Sequence, residues 1–144
     1  MVNHEQRFNL TGNGLMGEEN TSMNTVLWIL QILLAVTFLM AGVLHGFQQA
    51  RAKEILKWPA EASPELLTFI GVSEILGAIG LVLPALTGIL TWLTALAALG
   101  LDAILLLAIL FHLRRGEYPN IVFNLTLLAL AAFVAYGRWV LVPL

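Results

Sequence analysis

From residue 25 onward the chain alternates long apolar runs with short polar breaks, and the breaks hold most of its charges and turn formers. Four runs, at about residues 25–47, 64–84, 89–112 and 120–141, each supply the ~20 residues that a helix needs to cross a hydrocarbon core of ~30 Å. Within each run the polar and small residues recur at helical spacing. Gln31, Ala35, Phe38, Gly42 and His45 form one stripe on the first span, and Gly71, Glu74, Gly77 and Ala78 form one on the second. Thr91, Ala95, Ala98 and Asp102 share a face of the third, and Asn120, Asn124, Ala131, Ala135 and Arg138 share one on the fourth. These stripes are the sides expected to face protein, since small residues let helices approach closely and polar ones bond across. The pattern predicts an all-α, four-transmembrane-helix antiparallel bundle without a sizeable soluble domain. Gly71, Gly77 and Ala78 are expected to pack against the first or third span.

The breaks sharpen the boundaries. Residues 48–63 carry Arg51, Lys53, Glu54, Lys57 and Glu61 together with Trp58 and Pro59, and read as a short amphipathic interfacial stretch followed by a turn. Pro64 suits the first turn of the second span and Pro84 its exit, with PALTG turning the chain into the third. LRRGEYPN, with Gly116 and Pro119, makes the tight break before the fourth. Residues 1–24 are polar and Gly-rich, lack hydrophobic periodicity and the layout of a signal peptide, and are expected as a disordered tail ahead of a membrane domain over 25–144. Met23, directly before the first apolar run, is an alternative to Met1 as the start.

Composition fixes the solvent. Hydrophobic residues make up 59% and charged residues 11%, with a mean hydropathy of +0.87, so the surroundings are a lipid bilayer. No run of Lys or Arg suggests nucleic acid as a partner, and the absence of cysteine excludes disulfides, thiolate metal sites and dithiol redox chemistry. Arg51, Lys53, Lys57, Arg114 and Arg115 lie in loops 48–63 and 113–119, against Arg7 and Arg138 on the other side. This bias predicts that both loops are cytoplasmic, and the membrane expected is a bacterial inner (plasma) membrane.

The candidate chemistry is a set of buried polar groups. Glu74 stands about ten residues inside an apolar segment, and ionisable groups at that depth are by default candidates for function. Counted from PALTG, Asp102 reaches a similar depth, offset by roughly 6 Å, so the two acids can meet, and low dielectric disfavours both being ionised. Proton handling or binding of a polar headgroup such as a quinone carbonyl is one reading, and protonated acids acting only as packing groups is the other. His45 and His112 fall at the cytoplasmic ends of their spans, where an imidazole is accommodated by water or a helix C-terminus. Glu74 is expected on the order of 10 Å deeper than the histidines, so no metal site is assigned. Gln31, Asn124 and Thr37 are expected as interhelical hydrogen-bonding groups, and Arg138 as an interfacial anchor. No signature of a soluble enzyme occurs, and no covalently bound cofactor is indicated.

AGVLHGFQ at residues 41–48, GVSEILGAIGLVLP at 71–84, the Ala-rich third span ending in His112, and LALAAFVAYGRW at 128–139 resemble the DoxX-like family of small four-helix integral membrane proteins. The resemblance covers nearly everything after Met23. It implies an accessory subunit working with a membrane oxidoreductase partner, with a quinone contact among the expectations. A small proton-coupled carrier and a non-enzymatic assembly or scaffold protein, alone or as a homo-oligomer, are the alternatives. The absence of cysteine puts any thiol-dependent mechanism of relatives outside this subunit's reach.

Overall fold

A computed structural model describes residues 4–56 and 58–144, with side chains from Gly17 onward. Helix α1 spans His4–Phe47, and a short α2 (Gln49–Ile55) and a 3-10 turn (Trp58–Glu61) form the first connection. Helices α3 (Pro64–Thr87), α4 (Trp92–Arg115) and α5 (Tyr118–Tyr136) follow, and α5 runs on into a π-helical turn, Gly137–Leu141. Among the described residues four helical segments are long and apolar enough to cross a membrane: Gly17–Phe47, Pro64–Thr87, Trp92–Arg115 and Tyr118–Leu141. The protein is a four-span antiparallel bundle, with α3 beside α1, α4 beside α3, and α5 against α4 and α1.

Local chemistry places most boundaries. The Ser63 hydroxyl caps α3 by accepting from the Leu66 N–H at 3.2 Å, with Pro64 in the first turn. At the other end Gly88, at φ 70°, takes the left-handed conformation that a helix C-terminus commonly requires. Pro84 lies inside α3 and is buried, a turn before the exit expected there. The ring constrains the residues before it, and its own carbonyl still accepts the Gly88 N–H at 3.0 Å. Gly116, at φ 68°, ends α4 in the same way as Gly88 ends α3. Upstream, α1 continues through the stretch expected as a disordered tail. No proline interrupts residues 1–24, and extending an existing helix is far less costly than nucleating one.

The stripes face inward along most of their length. Gln31, Phe38, Gly42 and His45 of α1 are buried, as are Gly71, Glu74 and Ala78 of α3, Ala95 and Ala98 of α4, and Ala131, Ala135 and Arg138 of α5. The N-terminal part of the last stripe is more open, with Asn120 exposed and Asn124 half-buried. The opposite sides are apolar and bare, with Leu76, Met40 and Leu107 about two-thirds exposed, as a lipid-facing surface requires.

Lipid tails are as apolar as leucine, so helix contacts depend on close fit. A Cβ on Gly71 would collide with the backbone of Gly46 and Gly42, so α1 and α3 touch backbone to backbone there. Gly77 instead faces the Leu101 side chain of α4, and Gly80 faces Ala97. One face of α3 therefore meets α1 and another meets α4.

Candidate functional site

The glycine contact sets the register that builds the site. Gly71 lies level with Gly46, so residues 64–70 of α3 rise past the end of α1 and run beside α2, where the Gln49 amide donates to the Pro64 carbonyl and the Thr68 hydroxyl. Glu74 is one turn below Gly71 and its carboxylate meets His45. Glu74 Oε2 and His45 Nδ1 are 2.8 Å apart, and both residues are buried. The depth of 10 Å expected between them is thus overturned: counting from the α3–α4 turn assumes that α1 and α3 end at one plane, and they do not.

Accepted by the carboxylate, the His45 Nδ1–H fixes the tautomer and directs Nε2 away from Glu74. Nε2 is buried and has no hydrogen-bond partner among the described residues. The ring packs edge-on against Trp58 of the 3-10 turn, at 5.0 Å between centroids. Trp58 in turn meets Phe111 and His112 of α4, each at 6.1 Å. A single indole thus links the two histidines.

His112 belongs to a second, wetter group in the same end of the bundle. Its Nδ1 lies 2.6 Å from Glu117 Oε2, and the Arg115 Nε–H donates to Glu117 Oε1 at 2.8 Å. Arg115 also pairs with Glu61, tying the 113–119 loop to the first connection, and it stacks on Phe111. The Arg115 hydrogen bond first, and the His112 one second, hold the Glu117 carboxyl down to about 2. A depressed value means that the contribution of Glu117 to stability is complete above the ordinary carboxylate range near 4.5 and is lost as pH falls from there toward about 2. The melting temperature of the wild type relative to Glu117→Gln should accordingly narrow between about pH 5 and 2. A gap that stays constant over that window would show that the network does not hold this carboxylate in the folded state.

Asp102 does not join Glu74. Its Oδ1 is buried without a hydrogen-bond partner among the described residues, and no hydrogen bond links the two acids. Glu74 shares the Gly71 face toward α1, whereas Asp102 follows Leu101, which packs on Gly77 at the other contact of α3. Thr37, expected to bond across helices, returns its hydroxyl to the Leu33 carbonyl of its own helix at 2.8 Å, a local competitor available to any helical threonine. Asn124 enters neither hydrogen-bonded group.

Gln31 does reach across the bundle. Its amide nitrogen donates to the Leu81 carbonyl at 2.6 Å, and its oxygen accepts from Arg138 Nε at 2.6 Å. Arg138 is only 4% exposed, so the side chain expected to reach outward as an interfacial anchor is instead turned into the bundle. Its position three residues after Ala135 on the inward stripe brings it inside, and the π turn contains it.

Between α3 and α4 an apolar groove of about 650 Å³ runs from Ser73 and Ile104 past Gly77, Gly80, Ala97 and Gly100 to Leu93. It begins one residue from Glu74. Among the described residues no three His, Asp or Glu side chains are grouped to hold a metal ion.

Trp58, Glu117, Arg115 and Glu61 were not singled out by pattern. A tryptophan in an amphipathic loop, and a carboxylate directly after a helix ending in His and two Arg, are the local signals that mark them.

The sequence profile of the DoxX-like family matches residues 29–134, from the first span well into the fourth, and so includes Glu74, His45, Trp58, Asp102 and His112. No curated protein and no solved structure matches the chain.

Proposed function

The chain belongs to the DoxX-like family, and on that premise we propose that it is an accessory subunit of a membrane oxidoreductase, contributing a proton-exchanging contact to a quinone. The observation that carries this reading is the His45–Glu74 pair, whose Nε2 is free of any partner among the described residues. An imidazole backed by a carboxylate can pass a proton at Nε2 and have the resulting charge balanced at Nδ1. Reduction of a quinone requires protons at its carbonyl oxygens, and the electrons come from the partner protein. Trp58 stands beside the imidazole as an aromatic wall, and the apolar groove between α3 and α4 that begins at Ser73 offers a surface for an isoprenoid tail. The excess of Arg and Lys in loops 48–63 and 113–119 favours a cytoplasmic position for this end, in a bacterial inner membrane.

Extraction from the native membrane in mild detergent should bring down a redox protein. Glu74→Gln should lower the quinone-linked activity of that complex while leaving the abundance of both proteins unchanged, because the amide keeps the hydrogen bond and loses the charge. Recovery of the chain alone or as a homodimer would favour a carrier. Loss of the partner's abundance in the variant would favour a scaffold.

A further inference from the structure

The end of the bundle away from His45 holds a buried cation whose partners are all neutral. Asn24, Trp28 and Gln31 follow i, i+4, i+7 on one face of α1, and all three meet Arg138. The guanidinium donates from Nε to Gln31 Oε1 and from Nη1 to Asn24 Oδ1, both at 2.6 Å, and it lies 5.5 Å from the Trp28 ring centre. The Leu81 carbonyl orients the Gln31 amide so that its oxygen points at the arginine. Among the described residues the buried Nη2 has no hydrogen-bond partner and no carboxylate pairs with the guanidinium. On α4, which packs against the π turn, the Thr94 hydroxyl is also buried and has no partner among the described residues.

A guanidinium keeps its charge in proteins, and a buried charge without a counter-ion is strongly unfavourable. Two amide oxygens and a ring face offset part of that cost and leave the Nη2 donors unused. The planar fork suits an oxyanion that accepts two hydrogen bonds. Arg138 lies within one turn of the end of its membrane segment at Leu141, the level at which phosphate groups of a bilayer occur. Along α1 the site is about 21 Å from His45, counted from Gln31, so it is separate from the pair described above.

We propose that Arg138, positioned by Asn24 and Gln31, is the anchor of a binding site for a phosphate oxyanion, carried by an anionic lipid headgroup or by free phosphate. Trp28, half-buried over the guanidinium, is the cover that moves to admit it.

The test is thermal unfolding of the full chain in a neutral, phosphate-free detergent, titrated with inorganic phosphate, with phosphatidylglycerol and with zwitterionic phosphatidylcholine. Wild type should gain more stability with phosphatidylglycerol than with phosphatidylcholine, whose phosphodiester is already paired with its own choline cation. A matching gain with inorganic phosphate assigns the site to the free ion, and its absence assigns it to the lipid. Arg138→Gln should weaken the response about tenfold or more. Asn24→Asp supplies a carboxylate from within the chain, so it should raise the melting temperature without ligand and abolish the response, which keeps the test informative if Arg138→Gln does not fold. Equal responses in wild type and Asn24→Asp, or no response of the wild type to either phosphate source, would overturn the assignment.

Discussion

Glu74→Lys should destabilise the bundle by about 3–5 kcal/mol, seen as a lowered melting temperature in detergent and a reduced level in the membrane. The substitution removes the carboxylate that accepts from His45 and sets an ammonium in its place, 7% exposed, with no acid within reach on α1. Asp102 does not compensate in the wild-type arrangement, since no hydrogen bond links it to Glu74 and its buried Oδ1 has no partner among the described residues. Glu74→Gln should cost far less, since the amide oxygen still accepts the His45 Nδ1–H. The pair of variants separates the hydrogen bond from the charge: if Lys were tolerated as well as Gln, the carboxylate would have to face water or lipid, contrary to its burial.

Gly71→Ala should be the most damaging glycine-to-alanine change among the described residues, costing about 3 kcal/mol or more. A Cβ at that position meets backbone atoms of Gly46 and the Gly42 carbonyl, which do not move aside as a flexible side chain does. Relief requires α1 and α3 to separate, and separation stretches the 2.8 Å contact between His45 and Glu74, so loss of stability and loss of the site should occur together. Gly100→Ala is the control, because a Cβ there meets nothing within 4 Å and alanine is the better helix former by about 1 kcal/mol. Equal melting temperatures for the two variants would mean that the helices do not touch at Gly71.

The chain's three polar clusters differ in kind. The His112–Glu117–Arg115 group joins loops at a wet boundary and is expected to respond to acid. The His45–Glu74 pair is buried between two helices that backbone contact holds in register. Arg138 is buried among neutral amides, which is the arrangement that calls for an anion from outside the described residues.

The alternation of apolar runs and polar breaks determined by itself the four spans, their inward stripes and the turns at Ser63–Pro64, Gly88 and Gly116, because hydrophobic period and turn chemistry act within a few residues. The resemblance carried by residues 71–84 and its companion segments identified the family that the profile match shows. Tertiary structure alone decided which polar groups meet. A stripe says which face of a helix is interior, but its partner depends on how far one helix slides past the next, and here that slide is set where Gly42, Gly46 and Gly71 bring two backbones into contact. The same slide carries Glu74 up to His45. Arg138 was legible as a stripe member, yet whether a long cationic side chain turns inward or snorkels depends on the acceptors waiting across the bundle, and Gln31 and Asn24 supply them only once α1 and α5 have packed.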